Sequence, residues 1–232
     1  MATAEHPVRS DFARHLRDRT RGEHARAEAE PFVRALLSGQ LDVDAYAMLL
    51  GQYYFAYEVL EAAADAMRCD LVAGPFVSDR LRRLPALEAD LHHYLGPDWY
   101  EVIRPSAETE DYRSRLREVC FDWPGGFVAH HYTRYLADLS GGQAIRAAMT
   151  ARCDGAGPSD DGGGLAFLTF PEIPHRPRFR TAYRTLLDTA GWDAAEQERI
   201  VTEVKLAFRL NIRVLAELGR RLAPPIPRQR RG

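Results

Sequence analysis

The chain has 232 residues, a formal net charge of −2, and hydrophobic and charged fractions of 46% and 28%. This is the balance of a soluble globular protein long enough to bury a substantial core, and it lacks the basic excess of a generic nucleic-acid binder. No apolar run is long enough to span a membrane, and the first residues lack the apolar stretch of a signal peptide. The cysteines Cys69, Cys120 and Cys153 are scattered, with no Cys-x-x-Cys pair, so a cytoplasmic protein with reduced thiols and no membrane anchor is expected. Lys205 is the only lysine among 31 Lys and Arg residues. Position, rather than residue type, must therefore single out a functional arginine.

In chain order, Phe12, Leu16, Thr20 and Ala27 share one broad face of a first helix, which Pro31 should end. Further helices are expected over 43–67, over 79–94 with Pro85 interrupting or starting it, and over 108–120, 124–149, 178–189 and 194–222. No stretch alternates in the manner of a strand, so the fold class is all-α, in one domain spanning 1–222. Residues 154–164 read as a glycine-rich loop, and 223–232, with three prolines and three arginines, as a disordered tail.

Two segments invite chemistry. On the first helix His24 lies at the rim of the apolar face, with Arg17 and Arg21 on the same side. An imidazole beside two guanidiniums suits a ligand with an apolar body, a metal at its centre and carboxylate tails, although a packed core histidine is the plainer alternative. The second segment, His130 to Gln143, sets Gly141 and Gly142 inside a helical run one turn after a lone Asp138. Each glycine forfeits about 1 kcal/mol of helix propensity. Either close approach of a flat ligand or a tight helix crossing would account for the pair.

The run His-Tyr-Thr-Arg-Tyr-Leu-Ala-Asp-Leu-Ser-Gly-Gly-Gln at 131–143 resembles the distal-helix signature of the haem oxygenases, all-helical enzymes that use haem as both cofactor and substrate. Arg-Gly-Glu-His-Ala-Arg-Ala-Glu at 21–28 resembles their proximal-helix motif. Leu-Ala-Phe-Leu-Thr-Phe-Pro at 165–171 and Lys-Leu-Ala-Phe-Arg-Leu-Asn at 205–211 resemble two further family segments, so the likeness covers roughly 12–222.

The resemblance implies a single-domain, multi-helix bundle holding haem b between a proximal and a kinked distal helix. It makes His24 the axial iron ligand and Glu28 the carboxylate that orients it. Arg17, Arg21, Arg180 and Arg184 become candidates for the haem carboxylates, with Tyr132 at the haem rim. Gly141 and Gly142 would meet the ring, and Phe208 and Asn211 would face the pocket. Asp138 would fix a water that delivers protons, supported by Tyr57 and Arg134. The implied activity is oxidative opening of haem to biliverdin, ferrous iron and carbon monoxide, using O2 and electrons from a redox partner such as a ferredoxin or flavodoxin with its reductase. In one departure, Ala137 stands where the family usually has glycine. That methyl favours the rival reading, a haem-binding carrier or sensor that leaves haem intact. A non-haem iron oxidase would need a convincing Glu-x-x-His pair, which is not found.

Overall fold

A computed structural model describes residues 10–150 and 163–222 of the chain. Cys153, most of the expected 154–164 loop and the expected tail lie outside the described residues. Among those described there are nine α-helices and no strand: α1 (Phe12–Glu28), α2 (Pro31–Leu37), α3 (Val43–Met67), α4 (Leu84–Leu95), α5 (Trp99–Val102), α6 (Ala107–Val119), α7 (Pro124–Thr150), α8 (Arg176–Thr189) and α9 (Ala194–Leu222).

Pro31 both closes α1 and opens a helix of its own. It stands at the start of α2, where the missing N–H is one that no helix would bond. Pro85 likewise starts rather than interrupts: residues 79–81 form a separate 3-10 turn, and α4 begins with Pro85 in its first turn. Buried Glu61 on α3 accepts from the amides of Arg83 and Leu84, a tertiary cap invisible in local sequence. Elsewhere expected and observed ends agree within two residues.

α3 is apolar nearly all round and forms the centre of the core, packed against α4, α6, α7 and α9. Asp42 caps its start through a bond from the Ala45 amide at 2.9 Å. The 29-residue α9 turns one apolar face, including Ile200, Val204, Phe208, Leu215 and Leu218, to α1, α2, α3, α6 and α7. α1 and α7 each rest on α9 but touch one another little, which leaves an opening between them. The segment at 165–168 is pinned beside α7 by Asp90 of α4, whose oxygens accept from the Ala166 and Phe167 amides at 2.8 Å each. Burial pushes the Asp90 carboxyl up to about 6, outweighing the two amides.

Where α6, α7 and α9 meet, Glu203 accepts from Arg115 at 2.9 and 2.6 Å and bonds the buried His130 ring at 2.9 Å. Burial works to raise the Glu203 carboxyl, but His130 and Arg115 outweigh it and hold it at about 2. Folding therefore favours the ionised form. This contribution is present above the ordinary 4.5 and is lost as pH falls toward about 2. Glu203→Gln should lower the unfolding free energy at neutral pH by about 2 kcal/mol, because Arg115 retains some access to water. Urea melts of both proteins at pH 7 and pH 3 should show the gap narrowing at the lower pH.

Candidate functional site

The opening between α1 and α7 is a slot with two connected chambers, one of about 440 Å3 and one of about 270 Å3. His24, Thr133, Ala137, Ser140 and Phe208 line both.

α1 forms one wall. The His24 side chain is 50% exposed, so it is a wall residue and not a packed core histidine. Its Nδ1 lies 3.5 Å from Glu28 Oε2, one helical turn on, and its ring meets Phe208 of α9 edge-to-face at 5.8 Å. With Nδ1 turned to a carboxylate, Nε2 is the nitrogen left to act as a ligand.

α7 forms the other wall, and its helical hydrogen bonding runs on through both glycines. A Cβ built on Gly141 would meet no atom within 4 Å, and one on Gly142 would only touch Leu168 at 3.4 Å. Neither glycine serves a tight crossing. The packing glycines of this helix are instead Gly125 and Gly126, where a Cβ would collide with Trp123. What Gly141 preserves is free space along the slot.

Behind that wall the polar side chains are buried and mutually bonded. The Tyr57 hydroxyl donates to Asp138 Oδ2, while Arg134 Nη2 stands 3.7 Å from Oδ1. Arg134 Nη1 donates to Asn211 Oδ1 at 2.7 Å, so Asn211 meets the slot through this bond. Burial pushes the Asp138 carboxyl above its ordinary range, against the pull of Arg134, the Tyr57 hydroxyl and Arg83. The Tyr57 hydroxyl is itself raised well above its ordinary value, chiefly by burial, and stays a donor.

The mouth of the first chamber is cationic. Arg17, Arg21 and Arg184 line it beside Tyr132, whose hydroxyl burial raises while Arg184 and Arg17 lower it. Arg17 and Arg21 both pair with Asp18, at 3.6 and 3.0 Å. Arg180 lines neither chamber; its Nη1 donates to Ser140 Oγ at 2.9 Å, reaching over the rim of the distal wall. The two histidines that open the distal motif face away from the slot. His130 is held by Glu203, and burial drives His131, bonded to the Tyr183 hydroxyl at 2.9 Å, down to about 3. Among the described residues no group of three or more His, Cys, Asp or Glu is placed to hold a metal ion.

An imidazole facing a side-chain-free stretch of helix, with guanidiniums at the opening, fits a planar dianionic metal complex inserted edge-first. The chain is thus an all-α protein with a slot for such a ligand between two of its helices. The family model described as Heme oxygenase matches residues 10–217. The chain is 35% identical over 210 residues to a heme oxygenase of Porphyra purpurea, covering 90% of this chain and 87% of that one. It is 36% identical over 209 residues to human heme oxygenase 1, covering 90% and 72%. The crystal structure of heme oxygenase-1 from the cyanobacterium Synechocystis sp. PCC6803 in complex with heme superposes with a TM-score of 0.85 at 33% identity, covering 91% of this chain and 94% of that one. The chain belongs to the heme oxygenase family, and it is a haem-degrading enzyme of that class.

Sequence reasoning missed four groups of the buried network: Tyr53 under Arg134, Tyr46 lining the second chamber, and Glu61 with Tyr135 behind Tyr57. The period of α3 places Tyr46, Tyr53 and Tyr57 on neighbouring helix positions, but so many apolar residues surround them that nothing separates lining from core.

If Gly141 serves the ligand alone, its two substitutions should act in opposite senses. Gly141→Ala should stabilise the haem-free chain by up to about 1 kcal/mol. Gly141→Leu should fold as well and weaken haem binding by roughly tenfold or more. Urea melts and haemin titrations of both variants check this; a destabilised Gly141→Ala would restore the crossing explanation.

Proposed function

We propose that haem b is substrate and cofactor in the slot, where His24 Nε2 would hold its iron, and that O2 and electrons from a redox partner serve its opening to biliverdin, ferrous iron and carbon monoxide. The observation that carries this reading is the half-exposed His24, backed by Glu28, across one slot from the unobstructed face of Gly141. When bound, haem supplies the iron at which oxygen is reduced and the ring that is opened.

The protein's part is orientation, exclusion of bulk water and proton delivery. Glu28 fixes the His24 ring and its tautomer. Arg17, Arg21 and Arg184, with Arg180 at the rim, set the in-plane orientation by meeting the two carboxylates. Tyr57 takes one oxygen of Asp138, leaving acceptor capacity for a water on the slot side. Because burial raises the Asp138 carboxyl, it exchanges protons more readily near neutral pH than an exposed aspartate does. A water held there passes a proton into the slot without placing the acid itself against the ring. Ala137 lines both chambers and adds a methyl to the distal wall, so this slot is tighter there than a glycine would leave it. The carrier or sensor reading gains nothing else, and family membership favours the enzyme.

No helix among the described residues is long and apolar enough to cross a membrane. With exposed Cys69 and buried Cys120 both unpaired, a cytoplasmic setting fits. For the electron donor, an acidic ferredoxin or flavodoxin fits the exposed arginines of α1, where the Arg17 and Arg21 side chains are 58% and 75% exposed.

Haemin added to the purified chain with a ferredoxin system in air should lose its Soret band as biliverdin absorbance and ferrous-chelator colour grow. A persistent Soret band would instead mark a carrier or sensor. His24→Ala should lose the spectrum of histidine-ligated haem and recover it with added imidazole. Asp138→Asn should bind haem normally yet form biliverdin about 100-fold or more slowly. Arg14→Glu, on the α1 edge outside both chambers, should slow reduction by the donor and flatten its dependence on ionic strength; an unchanged salt profile would remove α1 as the docking edge.

A further inference from the structure

Arg134 is 5% exposed, and its guanidinium is charged at any pH the protein meets. Among the described residues only Nη1 has a hydrogen-bond partner, the neutral amide of Asn211, while Nε and Nη2 have none. So thinly bonded a buried cation needs stabilisation from elsewhere. The Asp138 carboxylate, 3.7 Å from Nη2, and two aromatic faces provide it: the Tyr53 ring centroid lies 4.0 Å from Arg134 Cζ, and that of Tyr57 lies 5.2 Å away. The two tyrosines sit four residues apart on α3, so one helix edge presents both rings. Tyr57 is committed to Asp138 through its hydroxyl. The Tyr53 hydroxyl makes no hydrogen bond to a described residue, so its contribution is the ring.

We propose that Tyr53 is a positioning residue for proton delivery, its ring face holding the Arg134 guanidinium against the Asp138 carboxylate. The inference rests on the role assigned to Asp138 above. The charged or titratable groups that act on Asp138 or share its chamber are His24 and Glu28 from α1, Tyr46, Tyr53 and Tyr57 from α3, Arg83 at the start of α4, Tyr112 from α6, and Arg134 and Tyr135 from α7. α9 contributes the neutral Asn211. Two of these are guanidiniums. Arg83 is fixed by the carbonyls of Leu81, Phe167 and Thr169. Arg83 also lies over a ring, that of Phe170 at 3.9 Å from its Cζ, but three carbonyls hold it; Arg134, with a single hydrogen bond, is the cation beside Asp138 that leans on an aromatic face.

The test is the titration of the Asp138 carboxyl, followed by NMR in the full haem-free chain carrying carboxyl-labelled aspartate and assigned by the signal that Asp138→Asn removes. Tyr53→Leu should raise its midpoint by roughly 0.5 pH unit or more, because the nearby cation is no longer held in place. Tyr53→Phe, which keeps the ring, should titrate as the parent does. In the haem-loaded enzyme the acidic limb of the pH–rate profile should move with Tyr53→Leu and stay with Tyr53→Phe. An unmoved midpoint in Tyr53→Leu overturns the proposal, and so does an equal shift in Tyr53→Phe, which would assign the effect to the hydroxyl. Should Tyr53→Leu fail to fold, Tyr53→Met, similar in bulk and without a π face, takes its place in the same comparison. Because the titration needs neither haem nor turnover, its failure is separable from failure of the oxygenase reading.

Discussion

The slot exists because α9 keeps α1 and α7 apart while binding both, and the Glu203 carboxylate fixes α6 and α7 against α9. One acid on α9 receives a guanidinium from α6 and an imidazole from α7. Apolar packing alone tolerates sliding of one helix along another, whereas a bidentate ion pair with a third bonded ring sets both height and rotation. Five and eight residues further along α9, Phe208 reaches the edge of the His24 ring and Asn211 takes the Arg134 guanidinium. The registry set at Glu203 is thus passed to both walls of the site.

α7 is an unusual core helix, since its buried face carries His130, His131, Thr133 and Arg134 among the apolar residues. Each polar group carries a desolvation cost that folding must offset through partners. Thr133 donates to the Ala129 carbonyl of α7 itself, while the partners of His130, His131 and Arg134 come from α3, α8 and α9, so the site is only as ordered as the bundle around it. Its free energy is distributed in the same way. Residues that never meet the ligand, Glu61, Asp90 and Glu203, hold the segments that do.

Much of this was legible in the sequence, for reasons that can be named. Long helices with continuous apolar periodicity, such as α3, α7 and α9, declare themselves because every turn repeats the same constraint. His24 and Asp138 stood out because their motifs are long, and the open space at Gly141 removes the tight crossing, one of the two explanations that the glycine pair alone left even. Other features depended on groups distant in sequence. Pro31 signals a stop and a start with the same ring. α4 begins where it does because Glu61, more than twenty residues earlier, receives its first amides. Arg180 and Arg184 share a helix face, yet only Arg184 lines a chamber, because Ser140 of α7 stands within reach of Arg180. Tyr53 is indistinguishable in the sequence from any core aromatic, since its significance lies wholly in what α7 lays across it.

Asp18, pairing with both Arg17 and Arg21 at the mouth of the slot, bears on turnover. The two guanidiniums share a resident carboxylate, so seating a dianion on them, as proposed above, would exchange one set of ion pairs for another. The net gain at the mouth is correspondingly small. On the proposed reading, a linear tetrapyrrole that has given up its iron would keep the same two carboxylates but lose its bond to the imidazole. Its remaining hold would then be the one that Asp18 contests, which would favour departure of the product over retention.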